Sequence, residues 1–185
     1  MLHGKIAVVT GSTSGIGLAI ATAFAEAGAD VMLNGFGKPE EIEAAKTQVA
    51  AKGHKVLYSP ADMTKPGEIA AMIATAEKEL GRLDIWVNNA GADILTGAWA
   101  GRSREQKLAY VLDIDVRGTA VASWAAFELM RAQPAGGVII NVSWDHVTAG
   151  MAGENPMVYA AAKGGVLAFS KSLAREVASR HITVN

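Results

Sequence analysis

Gly11, Gly15 and Gly17 fall in a short Gly- and Ser-rich segment, Gly11-Ser-Thr-Ser-Gly15-Ile-Gly17, between the apolar run Ile6 to Val9 and the apolar helical pattern begun by Leu18, Ile20, Ala21 and Phe24. A strand, a glycine turn and a helix in that order let the backbone approach a diphosphate closely, with unpaired N–H groups and the positive dipole end of the helix facing its charge. A P-loop needs a Lys followed by Ser or Thr after the last glycine; Leu18 and Ala19 stand there, which disfavours ATP hydrolysis. The same spacing also suits a glycine turn with no ligand. A second pair, Tyr159 and Lys163, is spaced i, i+4 and so shares one helix face. A free phenol titrates near 10, too high for efficient proton transfer near neutrality. A cation one turn away, joined by the positive charge of an oxidised nicotinamide, favours the phenolate and predicts a lowered Tyr159 pKa. With 3 Tyr in the chain, this pair taken alone is weak evidence.

These residues need elements to hold them. Strands are predicted at Lys5 to Thr10, Val31 to Asn34, Val56 to Ser59, Ile85 to Asn88, Val138 to Val142 and Ile182 to Val184, and helices at Gly15 to Ala27, Pro39 to Ala51, Pro66 to Leu80, Arg104 to Arg131 and Pro156 to Ser179. Strand and helix take turns, and strands such as IAVV are apolar on both faces, as helices on both sides of a parallel sheet require. The expected fold is a doubly wound α/β parallel sheet of the Rossmann type. No internal repeat or linker interrupts residues 1–185, which read as one dinucleotide-binding domain.

In such sheets ligands bind at the C-terminal ends of strands. Asp62 and Met63 follow the third strand, and Asn88-Asn89-Ala90-Gly91 follows the fourth. Small and amide-bearing residues there suit a flat cofactor, although Asn-Asn-Ala-Gly by itself is equally a turn with Asn in left-handed geometry. The end of the second strand, where a carboxylate selects a free ribose hydroxyl and an Arg a 2′-phosphate, carries Asn34, Gly35, Phe36 and Gly37. Without a cation at that point the expected cofactor is NAD, with Lys38 near enough in sequence to keep NADP open.

Composition bounds the partners. The 185 residues carry 17 Lys and Arg against 18 Asp and Glu, a net charge of -1, with 50% hydrophobic residues. That excludes disorder and lacks the basic footprint of a nucleic-acid binder or of a protein drawn to anionic membranes. With 0 Cys there is neither a disulfide framework nor a thiolate nucleophile. The Ile6 to Val9 run is too short for a signal-peptide core, and no segment has the roughly 20 continuous apolar residues of a membrane helix. A cytoplasmic protein is expected, with a small-molecule substrate. Ala161, Gly165, Ala168 and Ser172 form a small-residue stripe on the face opposite Tyr159. Close packing there against the sheet or a second subunit is possible, and a homodimer or homotetramer through the two long helices is the preferred expectation.

Taken together, TGSTSGIG (Thr10 to Gly17), Asp62-Met63, NNAG (Asn88 to Gly91) and YAAAK (Tyr159 to Lys163) resemble the short-chain dehydrogenase/reductase family along the whole chain. The first half, with LNGFG at Leu33 to Gly37, is similar to bacterial NAD-dependent 3-hydroxybutyrate dehydrogenases. The resemblance implies hydride transfer between NAD(P) and a secondary alcohol or ketone, with Tyr159 as general acid/base and Lys163 lowering its pKa and holding the nicotinamide ribose. It also implies a cofactor bound over Gly11, Ser14, Gly15, Ile16 and Gly17 and against Asn34, Asp62, Met63, Asn89, Ala90 and Gly91.

The chain departs from the family pattern in three places. The family has a Ser that polarises the substrate oxygen where this chain has Trp144; Ser143, one residue earlier, is the candidate catalytic Ser beside Tyr159, Lys163 and Asp115, and strand alternation predicts that it points to the opposite side unless the strand end is bulged. Asp115 replaces an Asn that links the catalytic Lys through water to solvent; Asp accepts hydrogen bonds and strengthens the Lys charge but cannot donate. Family members continue beyond a segment like His181 to Asn185 into a further helix and strand, so the domain is expected to lack the usual last strand and helix and to be C-terminally incomplete. Trp144 and Asp115 also support a rival reading, a nucleotide-binding protein of the same fold without redox activity.

Overall fold

Alternate residues of the central strands face opposite helical layers, and that alternation builds the fold. The computed structural model describes residues 1–185. Its strands are β1 (Ile6–Val9), β2 (Asp30–Asn34), β3 (Val56–Ser59), β4 (Ile85–Asn88), β5 (Gly137–Asn141) and β6 (Ile182–Val184), all parallel, in the order β3-β2-β1-β4-β5-β6. Ala7, Val9, Val31, Leu33, Ile85 and Val87 pack beneath α1 (Gly15–Glu26) and α2 (Pro39–Ala50). Val8, Met32, Trp86 and Ile139 pack on the other face, against α3 (Pro66–Leu80), α5 (Thr119–Arg131) and α6 (Glu154–Val177). The doubly wound Rossmann-type sheet expected from the apolar strands is present.

The run Arg104 to Arg131 departs from expectation. It forms α4 (Arg104–Val111), a π-helical segment Leu112–Gly118, and then α5. One extra residue per turn leaves the apolar pattern nearly unchanged in so short a stretch, so periodicity could not reveal it; such segments are rare and concentrate at functional sites. The last long helix is Glu154–Val177, followed by a 3₁₀ turn at Ala178–Arg180. The fifth strand ends at Asn141, one residue before the expected Val142.

Strand order reverses between β1 and β4, which leave in opposite directions and open a crevice at their C-terminal ends. Beside it runs a buried polar chain. Trp86 Nε1 donates to Asn88 Oδ1 (2.7 Å), Asn88 Nδ2 donates to Ser123 Oγ (2.9 Å) and Asn141 Oδ1 (2.8 Å), and Asn141 Nδ2 donates to Ser170 Oγ (2.8 Å). Ser170 in turn donates to Val166 O (2.7 Å), so the network locks β4 and β5 to α5 and α6 with its members satisfied. We expect Asn88→Leu, which keeps the volume but strands the indole N–H and Asn141, to lose about 2–4 kcal/mol. Urea denaturation measures it, and a loss under about 1 kcal/mol would show that the network does not hold the strand ends together.

Candidate active site

At the end of β1 the chain turns back on itself so tightly that side chains are excluded. A Cβ on Gly17 would sit 2.2 Å from Gly11 O, and Gly15 has φ +56° with open space where its side chain would be. Ser12, fully buried, stitches the turn by donating from Oγ to Val9 O (2.6 Å) and accepting from Asn34 N (3.0 Å). Helix α1 then begins at Gly15 with no side-chain cap from Ser14 and no acidic residue in its first turn. Its first N–H groups have no carbonyl partner within the helix, which is the donor set an anion needs.

Two asparagines that look like ligand contacts prove to be braces. Asn34, 1% exposed, accepts from Gly11 N (3.3 Å) through Oδ1 and donates through Nδ2 to Ser59 O (3.1 Å) and Ala61 O (2.9 Å). Both amide hydrogens are engaged, so the side chain fixes the loop at the edge of the cleft that it lines. Asn89 Nδ2 donates to Thr10 O (2.9 Å) and Gly11 O (3.0 Å), while Thr10 Oγ1 accepts from Asn89 N and Ala90 N, both at 3.0 Å. This clamp closes the crevice floor between β1 and β4 and leaves the backbone of Ala90 and Gly91 to face the cleft. Asp62 is held by Thr64, whose N–H (2.9 Å) and Oγ1 (2.8 Å) both donate to Oδ1. That backbone N–H is the main reason its carboxyl pKa is lowered, with Lys65 adding to it.

The π-helical segment turns Asp115 inward to 1% exposure. Its Oδ1 accepts from Ala92 N (2.8 Å), tying the segment to the loop after β4. Its Oδ2 lies 3.0 Å from Lys163 Nζ, an ion pair whose angle falls short of a hydrogen bond, and Oδ2 has no other partner. Lys163 Nζ donates to Val142 O (3.0 Å), just past the end of β5. Tyr159 donates its hydroxyl to Ala92 O (2.9 Å).

The chain's own groups raise the Tyr159 pKa, and the lowering expected with an oxidised nicotinamide would have to work against them. Burial raises it first; the Ile94 backbone lowers it, and the negative charges of Asp115 and Asp93 raise it further. The sequence argument counted Lys163 as a free cation, whereas its charge is matched at 3.0 Å by Asp115. The expectation for Ser143 fails. Because β5 stops at Asn141, alternation does not carry forward, and Ser143 lines the same cavity as Trp144, Tyr159 and Lys163. Its hydroxyl donates to Lys163 O (3.0 Å).

A cleft of about 490 Å³ runs over the crevice, lined by Gly11, Ser14, Asn34, Asp62, Met63, Asn89, Ala90, Gly91, Asp115, Tyr159 and Lys163 among others. Gly15 and Ile16 are exposed beside it, outside its lining, and Gly17 is buried in the turn. Sequence reasoning missed Tyr110 and Ile114 on its wall. Their spacing of four, one residue before Asp115, is the signal that could have found them. A second cavity of about 380 Å³ adjoins, and Tyr159 and Lys163 line both.

A phenol and an ammonium shared by two cavities, one of them floored by a glycine turn at the sheet's switch point, define an oxidoreductase of the dinucleotide-binding type. The description "short chain dehydrogenase" matches residues 5–185, and the chain belongs to that family. It is 40% identical over 188 residues to D-beta-hydroxybutyrate dehydrogenase of Rhizobium meliloti (strain 1021), covering 98% of this chain and 69% of that one. It is 38% identical over 181 residues to the 3-oxoacyl-acyl-carrier-protein reductase FabG of Staphylococcus aureus (strain Mu50 / ATCC 700699), covering 98% and 72%. Among solved structures, an NAD+-bound xylitol dehydrogenase superposes with a TM-score of 0.89 at 28% identity, covering 100% of this chain and 69% of that one. A short-chain type dehydrogenase/reductase from Mycobacterium marinum gives 0.88 at 31%, covering 100% and 73%. No helix is long and apolar enough to cross a membrane.

Asp115→Asn removes a negative charge near the phenol and releases the Lys163 charge, and both changes favour the phenolate. We expect the Tyr159 pKa to fall, read as the pH dependence of phenolate absorbance with Tyr159→Phe as the blank; an unchanged or higher value would contradict the charge argument. Asp115→Leu leaves Lys163 buried without its partner and should lose about 3–5 kcal/mol of stability in urea.

Proposed function

We propose that the chain is an NAD-dependent oxidoreductase that moves a hydride between the nicotinamide and a secondary alcohol or ketone, with Tyr159 as general acid/base. The observation that carries this reading is the position of the Tyr159 and Lys163 side chains on the walls of both cavities. A nicotinamide dinucleotide, when bound, supplies the carbon that accepts or releases hydride. The first cavity fits such a group on three counts: the open space over Gly15, the uncapped start of α1, and the backbone of Ala90 and Gly91 facing the cleft.

In this reading the chain's own groups divide the work. The α1 N–H groups bind a diphosphate, and Lys163 hydrogen-bonds a ribose hydroxyl from its seat on Val142 O and Asp115. Tyr159 exchanges its hydrogen bond to Ala92 O for one to the substrate oxygen, gives that oxygen a proton in reduction and takes one in oxidation. A preference for NAD is supported where the second strand ends. Phe36 and Gly35 line the cleft, no Arg does, and Lys38, 4.0 Å from Glu41, stays outside the lining. Self-association along α5 and α6 is part of the proposal, since Trp124 is 54% exposed there and Ala161, Ala168 and Ser172 are exposed beside it.

The rival reading, a nucleotide-binding protein without redox activity, draws on Trp144 and on Ser143, whose hydroxyl proton is already engaged by Lys163 O. Turnover separates the two. Tyr159→Phe should abolish reaction of any accepted alcohol while leaving NADH affinity within about twofold, because it removes the transferable proton and little else. Ser143→Ala should lose less than the roughly 10²-fold expected on removing an oxyanion donor. A full-rate Phe variant would take Tyr159 out of the mechanism, and calorimetry showing NADPH bound tenfold tighter than NADH, about 1.4 kcal/mol, would overturn the cofactor preference.

A further inference from the structure

The second cavity has walls that say what kind of molecule it accepts. Leu95, Trp144, Met151 and Pro156 supply them, and Leu95 and Met151 are left 55% and 56% exposed at its rim. Large apolar side chains gathered open around a reactive phenol are in place to cover apolar surface of a ligand. Trp144 is set edge-on to His146, ring centroids 5.2 Å apart. Where the family carries a hydroxyl, this chain has placed a broad apolar plane.

The charges point the same way. Lys163 is the cation on the lining, and its ammonium is held by Asp115 at 3.0 Å and Val142 O at 3.0 Å. Of the neighbouring cations, Arg104 pairs with Glu154 at 2.8 Å, and Lys107 donates to the neutral amide oxygen of Asn155 at 3.3 Å. The acidic groups around the phenol are Asp115 and Asp93, and Asp145 follows Trp144 on the loop. A carboxylate entering here leaves water, finds the cation of the lining already paired with Asp115 and approaches the negative charge of Asp115 and Asp93, so its desolvation is poorly compensated.

Resting on the oxidoreductase reading, we infer that this cavity takes an uncharged, apolar secondary alcohol or ketone, with Trp144 as its principal contact, and rejects ionised hydroxy acids. The substrate class therefore differs from the one in the name of the D-beta-hydroxybutyrate dehydrogenase to which the chain is 40% identical. Asn155 lines the same cavity: Lys107 cannot accept, so the amide oxygen faces Lys107 and Nδ2 is left as a donor for an oxygen of the ligand.

The test compares 3-hydroxybutyrate with its methyl ester at pH 8, together with 4-phenyl-2-butanol, using NAD+ and the whole chain. In parallel, calorimetry follows 4-phenyl-2-butanone and acetoacetate binding to protein loaded with NADH. We expect kcat/KM for the ester to exceed that for the acid at least tenfold. The phenyl ketone should bind at least tenfold tighter than acetoacetate, and Trp144→Ala should weaken ketone binding at least fivefold while NADH affinity holds. An acid that matches or beats its ester, an acetoacetate that binds as well as the ketone, or a ketone whose binding ignores Trp144 overturns the inference, as does NADH-loaded protein that binds neither. Ketone binding that depends on Trp144 without turnover of any alcohol upholds the cavity's chemistry and removes the hydride-transfer reading instead.

Discussion

The ion pair between Lys163 and Asp115 is the contact on which the site's geometry hangs. At 3.0 Å and an effective dielectric near 20, two unit charges attract by about 5 kcal/mol, while taking both out of water costs several kcal/mol each. Attraction alone does not close that gap, so the surrounding hydrogen bonds must contribute. Val142 O accepts a hydrogen bond from the ammonium and Ala92 N donates one to the carboxylate. Through these bonds one pair joins α6, the π-helical segment, the end of β5 and the loop after β4. Because Tyr159 is one turn from Lys163 and rests on the carbonyl of Ala92, the phenol is positioned by the same four elements.

The sheet delivers those elements to one place. Order reversal between β1 and β4 opens the crevice, and two sets of hydrogen bonds keep its floor from sliding. Thr10 and Asn89 join the ends of β1 and β4 at the surface of the cleft, while Asn88, Asn141, Ser123 and Ser170 join β4 and β5 to the helices below. Neighbouring asparagines in one motif thus have opposite surroundings. Asn88 points into the core, where each polar atom needs a partner, and Asn89 braces the glycine turn. Residue type suits both duties equally, which is why the motif alone did not tell them apart.

Legibility of the sequence follows the range of the interaction. The parallel sheet was readable because doubly covered strands must be apolar on both faces, and the glycine turn because a Cβ at Gly17 would collide with the backbone of Gly11. Asn34, expected at the cofactor cleft, does line it, but its bracing of Ser59 O and Ala61 O was not legible because those partners lie some 25 residues away. Ser143 was misplaced by a strand read one residue too long. At Tyr159 the helix pattern showed Lys163 and hid the carboxylate brought against it by a change of helical pitch 48 residues earlier.

That carboxylate also bears on the direction of the chemistry. A phenol held above its ordinary pKa keeps its proton at neutral pH, so in its proposed role Tyr159 is poised as a donor, the state that reduction of a ketone requires. Oxidation requires the phenolate, which burial and Asp115 both oppose. Ser143 does little to relieve this, because its hydroxyl proton is turned to Lys163 O and Trp144 has none to offer the substrate oxygen. An apolar cavity suits this state: a neutral ketone enters it without losing a charged hydration shell, and charge developing on the substrate oxygen meets Tyr159 and the Lys163 ammonium on the lining. In the proposed role, burial and Asp115 therefore favour the protonated phenol, and the apolar wall favours an uncharged substrate beside it.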